Sequence, residues 1–139
     1  MKTPLLQVKN LNVDFTSNQR VFHAVKDASF TIEEGQTVAL VGESGSGKSV
    51  TAMSIMQLLP YPLASHPIPS SIKFNGEELV GKQDGFMRHI RGSQIGMVFQ
   101  EPMTALNPLH SIERQIGEVL RLHQKMNESD ARTRVKELL

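Results

Sequence analysis

The run Gly42-Glu43-Ser44-Gly45-Ser46-Gly47-Lys48-Ser49 concentrates the chemistry of this chain. It satisfies the spacing G-x-x-x-x-G-K-[ST], in which glycines let successive backbone N–H groups turn inward onto phosphate oxygens. An amine at Lys48 reaches the β- and γ-phosphates as a point charge, and a hydroxyl at Ser49 ligates Mg²⁺. Val50 and Thr51 fall on the following turn, where their backbone N–H groups add phosphate contacts. The plain alternative is a flexible glycine turn with an incidental Lys-Ser pair. The elements on either side argue against it. The chemistry implied is binding of a nucleoside triphosphate with Mg²⁺, whatever the energy then drives.

Such a loop needs a buried strand before it and a helix after it. Thr37-Val38-Ala39-Leu40-Val41 is an unbroken β-branched and apolar run, the pattern of a strand covered on both faces in a parallel sheet. From Lys48 to Leu59 the period turns helical, with Ala52, Ile55, Met56 and Leu59 on one face and Pro60 and Pro62 as the stop. Ile95-Gly96-Met97-Val98-Phe99 reads as a second buried strand ending at Gln100. A side-chain amide both donates and accepts, so at a strand end facing a γ-phosphate Gln100 can touch Mg²⁺ and orient water. From spacing alone, a polar residue merely closing a strand is an equal alternative.

The remaining elements frame these. Leu6, Val8, Leu11, Val13 and Phe15 alternate as a strand with a slip near Asn10, and Val21 to Ile32 is a second strand, antiparallel to the first. Glu33-Glu34-Gly35 makes a turn. Pro60 to Ser71 reads as a loop, Ile72-Lys73-Phe74 as a short strand entering an Asn75-Gly76 turn, and Phe86 to Arg91 as a short helix. Ile112 to Gln124 is amphipathic through Ile112, Ile116, Val119, Leu120 and His123. A last helix starts at an Asn127 or Ser129 cap, with Val135, Leu138 and Leu139 as its stripe. Ending on two leucines without a stop signal suggests a fragment. The combination predicts an α/β fold.

Composition narrows the class. With 15 Lys+Arg against 14 Asp+Glu among 139 residues, the charge is near balance, which argues against a nucleic-acid partner. No cysteine is present, so disulfides, thiolate metal sites and a cysteine nucleophile are excluded. No apolar stretch approaches the ~20 residues that span a bilayer. The five histidines lack H-x-x-x-H spacing, and Met53 and Met56 suit core filler better than a binding surface.

Together, these motifs resemble the ATP-binding subunits of ABC transporters over the whole window from Leu5 to Leu139. Val41 to Ser49 looks like the family's Walker A loop, and Gln100, closing Met97-Val98-Phe99, like its Q-loop glutamine. Gln100 to Leu109 and the Gly42-Glu43-Ser44 variant are similar to the dipeptide/oligopeptide importer branch, and most like its microcin C-type peptide importers. The resemblance implies a P-loop NTPase fold of ABC ATPase type, an antiparallel β-subdomain plus a RecA-like parallel core, truncated within the helical subdomain. The β-subdomain and P-loop core would fill about 1–100, and the Q-loop and the start of the helical subdomain about 100–139. It also implies an aromatic that stacks on adenine, the place of Phe15 in Asn12-Val13-Asp14-Phe15, with Phe22 as rival and a plain core role as the alternative.

The same resemblance implies that the full-length protein binds ATP and Mg²⁺ and hydrolyses ATP to power peptide import, with Lys48 and Gln100 in the reaction and Ser49 and Gln100 at the metal. Implied partners are transmembrane permease subunits, a second ATP-binding module and an extracytoplasmic peptide-binding protein, at the cytoplasmic face of the inner membrane. The family's Leu-Ser-Gly-Gly-Gln signature, its apolar run ending in Asp-Glu and its switch histidine are not among these residues. The fragment alone would therefore be inactive, because charge on both sides of the γ-phosphate is needed. The alternative is a soluble ABC-type ATPase without a transporter.

Overall fold

Leu6, Val8, Leu11, Val13 and Phe15 cannot all face one side of a regular strand, because the step from Val8 to Leu11 is odd and side chains alternate with period two. In the computed structural model, which describes residues 3–101 and 106–139, a β-bulge solves this. Strand β1 (Leu6–Ser17) pairs antiparallel with β2 (Arg20–Ile32), with Val8 opposite Phe30 but Leu11 opposite Ala28. Lys9 and Asn10 thus face the single Ser29, and Asn10 takes φ 45°. The interrupted ladder is repaired by side chains: Asn10 N–H donates to Ser29 Oγ at 2.8 Å, and Asn10 Nδ2 to Asp27 Oδ1 at 2.7 Å. Two further register shifts follow, one at Lys26–Asp27 and one that leaves Ala24 without a counterpart. The result is a continuous apolar face in which Leu11 and Val13 are fully buried. Asn18 and Gln19, both with positive φ, close the hairpin.

The chain divides into two compact units, Met1–Arg88 and His89–Leu139. In the first, β1 is central. It also pairs antiparallel with β3 (Ala64–Ser65) and β4 (Ser71–Phe74), and β4 pairs with β5 (Glu77–Glu78) through the Asn75-Gly76 turn. The sheet order is β2-β1-β4-β5, with β3 against β1. Ile72, Phe74 and Leu79 join the core, each such burial contributing about 1.5–3 kcal/mol. The segment expected to be a plain loop, Pro60 to Ser71, therefore contains a short strand.

Helix α1 runs Lys48–Ile55, shorter than the expected Lys48–Leu59. The prolines do not stop it. Gln57 does, at φ 50°, with its N–H donating to Ser54 O (3.0 Å) and Leu58 N–H to Met53 O (2.9 Å). This is the left-handed closure usually given to glycine. Thr51 and Ser54 are buried, whereas Ala52 and Ile55 are half-buried. Helix α2 spans Asp84–Ile90, two residues earlier than the expected Phe86 start.

Two expected strands are corrected. Thr37–Val41 and Ile95–Phe99 run without regular pairing, apart from an isolated bridge between Arg91 and Ile95, and Val41 and Val98 are almost fully exposed. A parallel strand exists only beside a neighbour, and among the described residues neither run has one. The pairing present is antiparallel throughout the sheet. The parallel core that those runs were expected to form is therefore not assembled among the described residues.

In the second unit, α3 (Ile112–Gln124) and α4 (Glu128–Leu138) pack on Leu120, Ala131 and Val135. Ser111 Oγ accepts from Arg114 N–H, and Asn127 Oδ1 from Asp130 N–H, so Asn127 rather than Ser129 is the cap of α4. The expected stripe on α3 splits. Leu120 is buried and Ile116 packs on the cluster, while Ile112 and Val119 face solvent. On α4, Val135 is buried but Leu138 and Leu139 are exposed.

Candidate functional site

Gly47 opens α1 in the left-handed region, at φ 88°, and its backbone is pressed against β2. A Cβ there would fall 2.6 Å from the Ala24 carbonyl oxygen and 3.0 Å from Val25 Cγ2. The bulge that leaves Ala24 unpaired thus lies where β2 meets the loop. At Gly42 a Cβ would meet the Ser46 hydroxyl at 2.6 Å, a contact that rotation of the Ser46 side chain can relieve. Gly45 has open space but φ 80°.

The start of α1 carries neither a side-chain cap nor an acidic residue in its first turn. Its first backbone bond is Thr51 N–H to Gly47 O at 2.8 Å, so the amides of Lys48, Ser49 and Val50 precede the helical ladder. Uncapped N-terminal amides and the positive end of the helix dipole suit an anion. Lys48 Nζ folds back over the loop, donating to Gly42 O (2.7 Å), Glu43 O (2.6 Å) and Ser46 Oγ (3.1 Å). A cavity of about 430 Å³ lies beside it, lined by Gly45, Ser46, Lys48 and Thr51, by His23, Ala24, Val25, Lys26 and Ala28 of β2, and by Leu40 and Val41. Its lining includes Lys48 and Lys26 but no carboxylate. These donors fit phosphate oxygens.

Sequence spacing gave no sign of His23. Its Nδ1 lies 2.7 Å from Asp14 Oδ1, across the hairpin, and the residue lines the cavity with Lys48. Phe15 and Phe22, the rival aromatics, are direct cross-strand partners on one face of the sheet, so the register unites them. They line a separate cleft at the hairpin tip, of about 670 Å³, with Phe22 67% exposed.

Gln100 belongs to the second unit, as an exposed bend residue. Of the segment after it, Pro102, Met103, Thr104 and Ala105 lie outside the described residues. The part that follows is pinned to α3 by a residue that sequence reading passed over. Gln115 accepts from Asn107 N–H at 2.9 Å and donates to Asn107 O (3.1 Å) and His110 O (2.9 Å). Side-chain amides matched to a peptide in this way hold a loop as a strand neighbour would. No helix among the described residues is long and apolar enough to cross a membrane.

Comparison with known proteins gives a consistent result. The family model described as "ABC transporter" matches residues 25–139. The peptidoglycan transport ATP-binding protein YejF of Agrobacterium fabrum (strain C58) is 54% identical over 136 residues, 98% of this chain and 25% of that protein. The oligopeptide transport ATP-binding protein OppD of Bacillus subtilis (strain 168) is 43% identical over 137 residues, 99% of this chain and 38% of that one. The chain thus spans about a quarter to two fifths of these curated relatives. Among solved structures, the ATP-binding cassette MJ0796, as a dimer in a post-hydrolysis state bound to ADP and Pi, matches with TM-score 0.79 at 25% identity. That match covers 95% of this chain and 54% of that one.

Proposed function

The chain belongs to the ABC transporter family, and we propose that the protein carrying it binds and hydrolyses ATP to power import of peptides through separate membrane subunits. The observation that carries the reading is the Gly42–Ser49 loop. Two of its glycines, Gly45 and Gly47, are left-handed, the amides at the start of α1 have no side-chain cap, and Lys48 closes the mouth of the loop beside a cavity without carboxylates. Peptide cargo is supported by similarity to a relative named for oligopeptide transport, alongside one named for peptidoglycan transport.

In this reading, the amides of residues 43–50 and the Lys48 ammonium hold the triphosphate. Ser49 and Gln100 would hold Mg²⁺, which would neutralise phosphate charge. Phe15, with Phe22 opposite it, stacks on the base, and Val50 and Thr51 add contacts at the first turn of α1. About 1–100 form the β-subdomain and nucleotide core, and about 100–139 the Q-loop and the start of the helical subdomain. A second ATP-binding module completes the site, transmembrane permeases dock on the pair at the cytoplasmic face of the membrane, and an extracytoplasmic peptide-binding protein delivers cargo.

The test uses the full-length protein with its permeases in vesicles. Lys48→Ala should lower Mg-nucleotide affinity by well over tenfold and abolish ATPase activity and peptide uptake together. Normal hydrolysis by that variant would sink the assignment of the loop.

A further inference from the structure

Helix α3 touches both flanks of Gln100. In its last turn, the His123 ring lies against Gly92, with Nε2 and Cε1 2.8 and 3.1 Å from where a Cβ on that glycine would stand. Near its start, the Gln115 side chain holds the Asn107 backbone, accepting from its N–H at 2.9 Å and donating to its carbonyl at 3.1 Å. Gln100 lies eight residues after Gly92 and seven before Asn107. We propose that His123 and Gln115 are positioning residues for Gln100. They tie the segment that carries it to α3 at both ends, so that the α3–α4 hairpin places the glutamine. The proposal rests on the reading above, in which Gln100 acts at the γ-phosphate and Mg²⁺.

Each anchor grips a stiff turn. Gly92 N–H donates to Ile95 O at 2.9 Å, and the N–H groups of Gln94 and Ile95 both donate to Ile90 O, at 3.0 and 3.1 Å. The missing side chain at Gly92, which has φ 78°, lets the ring approach this turn closely. Asn107 is the root of the other turn. Its Oδ1 accepts from Leu109 N–H at 2.9 Å and its carbonyl from His110 N–H at 3.1 Å, while Gln115 Nε2 also donates to His110 O at 2.9 Å. His123 and Gln115 are eight residues apart, so the anchors stand about 12 Å apart along the α3 axis.

Helix α3 is in turn packed on α4 through Leu120, Ala131 and Val135. A shift of that hairpin therefore carries Gly92 and Asn107 together, whereas a segment held at one end would lag behind. Gln100 needs such support. It is an exposed bend residue, and among the described residues the run before it has no regular strand partner. Neither His123 nor Gln115 lines the cavity beside Lys48, so both act through Gln100 rather than on the nucleotide.

The experiment uses the full-length protein with its permeases in vesicles and measures MgADP affinity, ATPase rate and peptide uptake for His123→Ala, Gln115→Ala and Gln115→Glu. Affinity for MgADP should stay within about twofold of wild type, while turnover, or uptake per ATP hydrolysed, falls about fivefold. Gln115→Glu keeps the shape and the acceptor for Asn107 N–H but sets a carboxylate against two carbonyls, so it should fall at least as far as Gln115→Ala. Retained MgADP binding shows in the same samples that the variants are folded. Gln100→Ala supplies the readout that a merely structural role would not move. Once that amide is gone its placement no longer matters, so adding His123→Ala or Gln115→Ala should lower the rate little further. Wild-type turnover and uptake in either His123→Ala or the Gln115 variants, or losses that multiply with that of Gln100→Ala, overturn the proposal and leave the role of Gln100 standing. Loss of MgADP affinity in step with the rate overturns it as well. If Gln100→Ala itself keeps wild-type turnover and uptake, the underlying reading of Gln100 fails and takes the proposal with it.

Discussion

The Ala24 carbonyl oxygen stands 2.6 Å from the point a Cβ on Gly47 would occupy, so the phosphate-type loop and strand β2 are in backbone contact. The contact depends on two local departures from regularity, the left-handed Gly47 and the bulge that leaves Ala24 unpaired on β2. Together they fix the start of α1 against the hairpin that carries Phe15, Phe22 and His23.

Gly47→Ala should therefore cost more than Gly45→Ala. Both force a non-glycine residue to positive φ, at about 1–2 kcal/mol, but only Gly47 also meets backbone atoms. Thermal denaturation should rank the variants in that order, with nucleotide affinity falling at least tenfold for Gly47→Ala. Equal melting temperatures for the two would show that the contact with Ala24 carries no strain.

Gln100→Ala should leave nucleotide binding nearly unchanged, because the loop, Lys48 and the start of α1 do not involve it. Turnover should slow severalfold, or hydrolysis should continue without peptide uptake. Paired measurements of nucleotide Kd, ATPase rate and transport distinguish these outcomes from simple loss of affinity, which would remove Gln100 from the proposed reaction.

Glu78 makes the first unit sensitive to acid. Burial pushes its carboxyl up, but hydrogen bonds from the Ser71 hydroxyl and the Ile72 and Val80 amides, with the charge of Lys73, outweigh that and hold it below the ordinary carboxylate value. A depressed folded-state value means stability that is present above the unfolded pKa and lost as pH falls through the folded one. The melting temperature should drop as pH is lowered below the ordinary carboxylate range. Glu78→Gln should lower it at neutral pH and flatten that acid dependence.

Much was legible in the residues. The irregular spacing around Asn10 announced the bulge, Asn75-Gly76 the turn, and the span Ile112–Gln124 of α3 was read directly from its period. Each signal is local: a period, a turn dipeptide or a cap acts within a few residues. The end of α1 was misread because left-handed closure at Gln57 leaves no composition cue, while Pro60 offers a conspicuous false one. Gln115 was passed over because its partners, Asn107 and His110, are joined to it only by the turn before α3.

The sequence by itself determined that Gly42 to Ser49 has the composition of an anion-gripping loop, and that β-branched runs flank the chemistry. Only tertiary structure decided which backbone Gly47 leans on, that Phe15 and Phe22 are opposed, and that Asp14 orients His23. Those facts depend on strand register, and register is set by three bulges whose consequences add along the hairpin. Thr37–Val41 marks the same boundary from the other side: its residues specify a buried strand, but burial requires neighbours that a single segment does not contain.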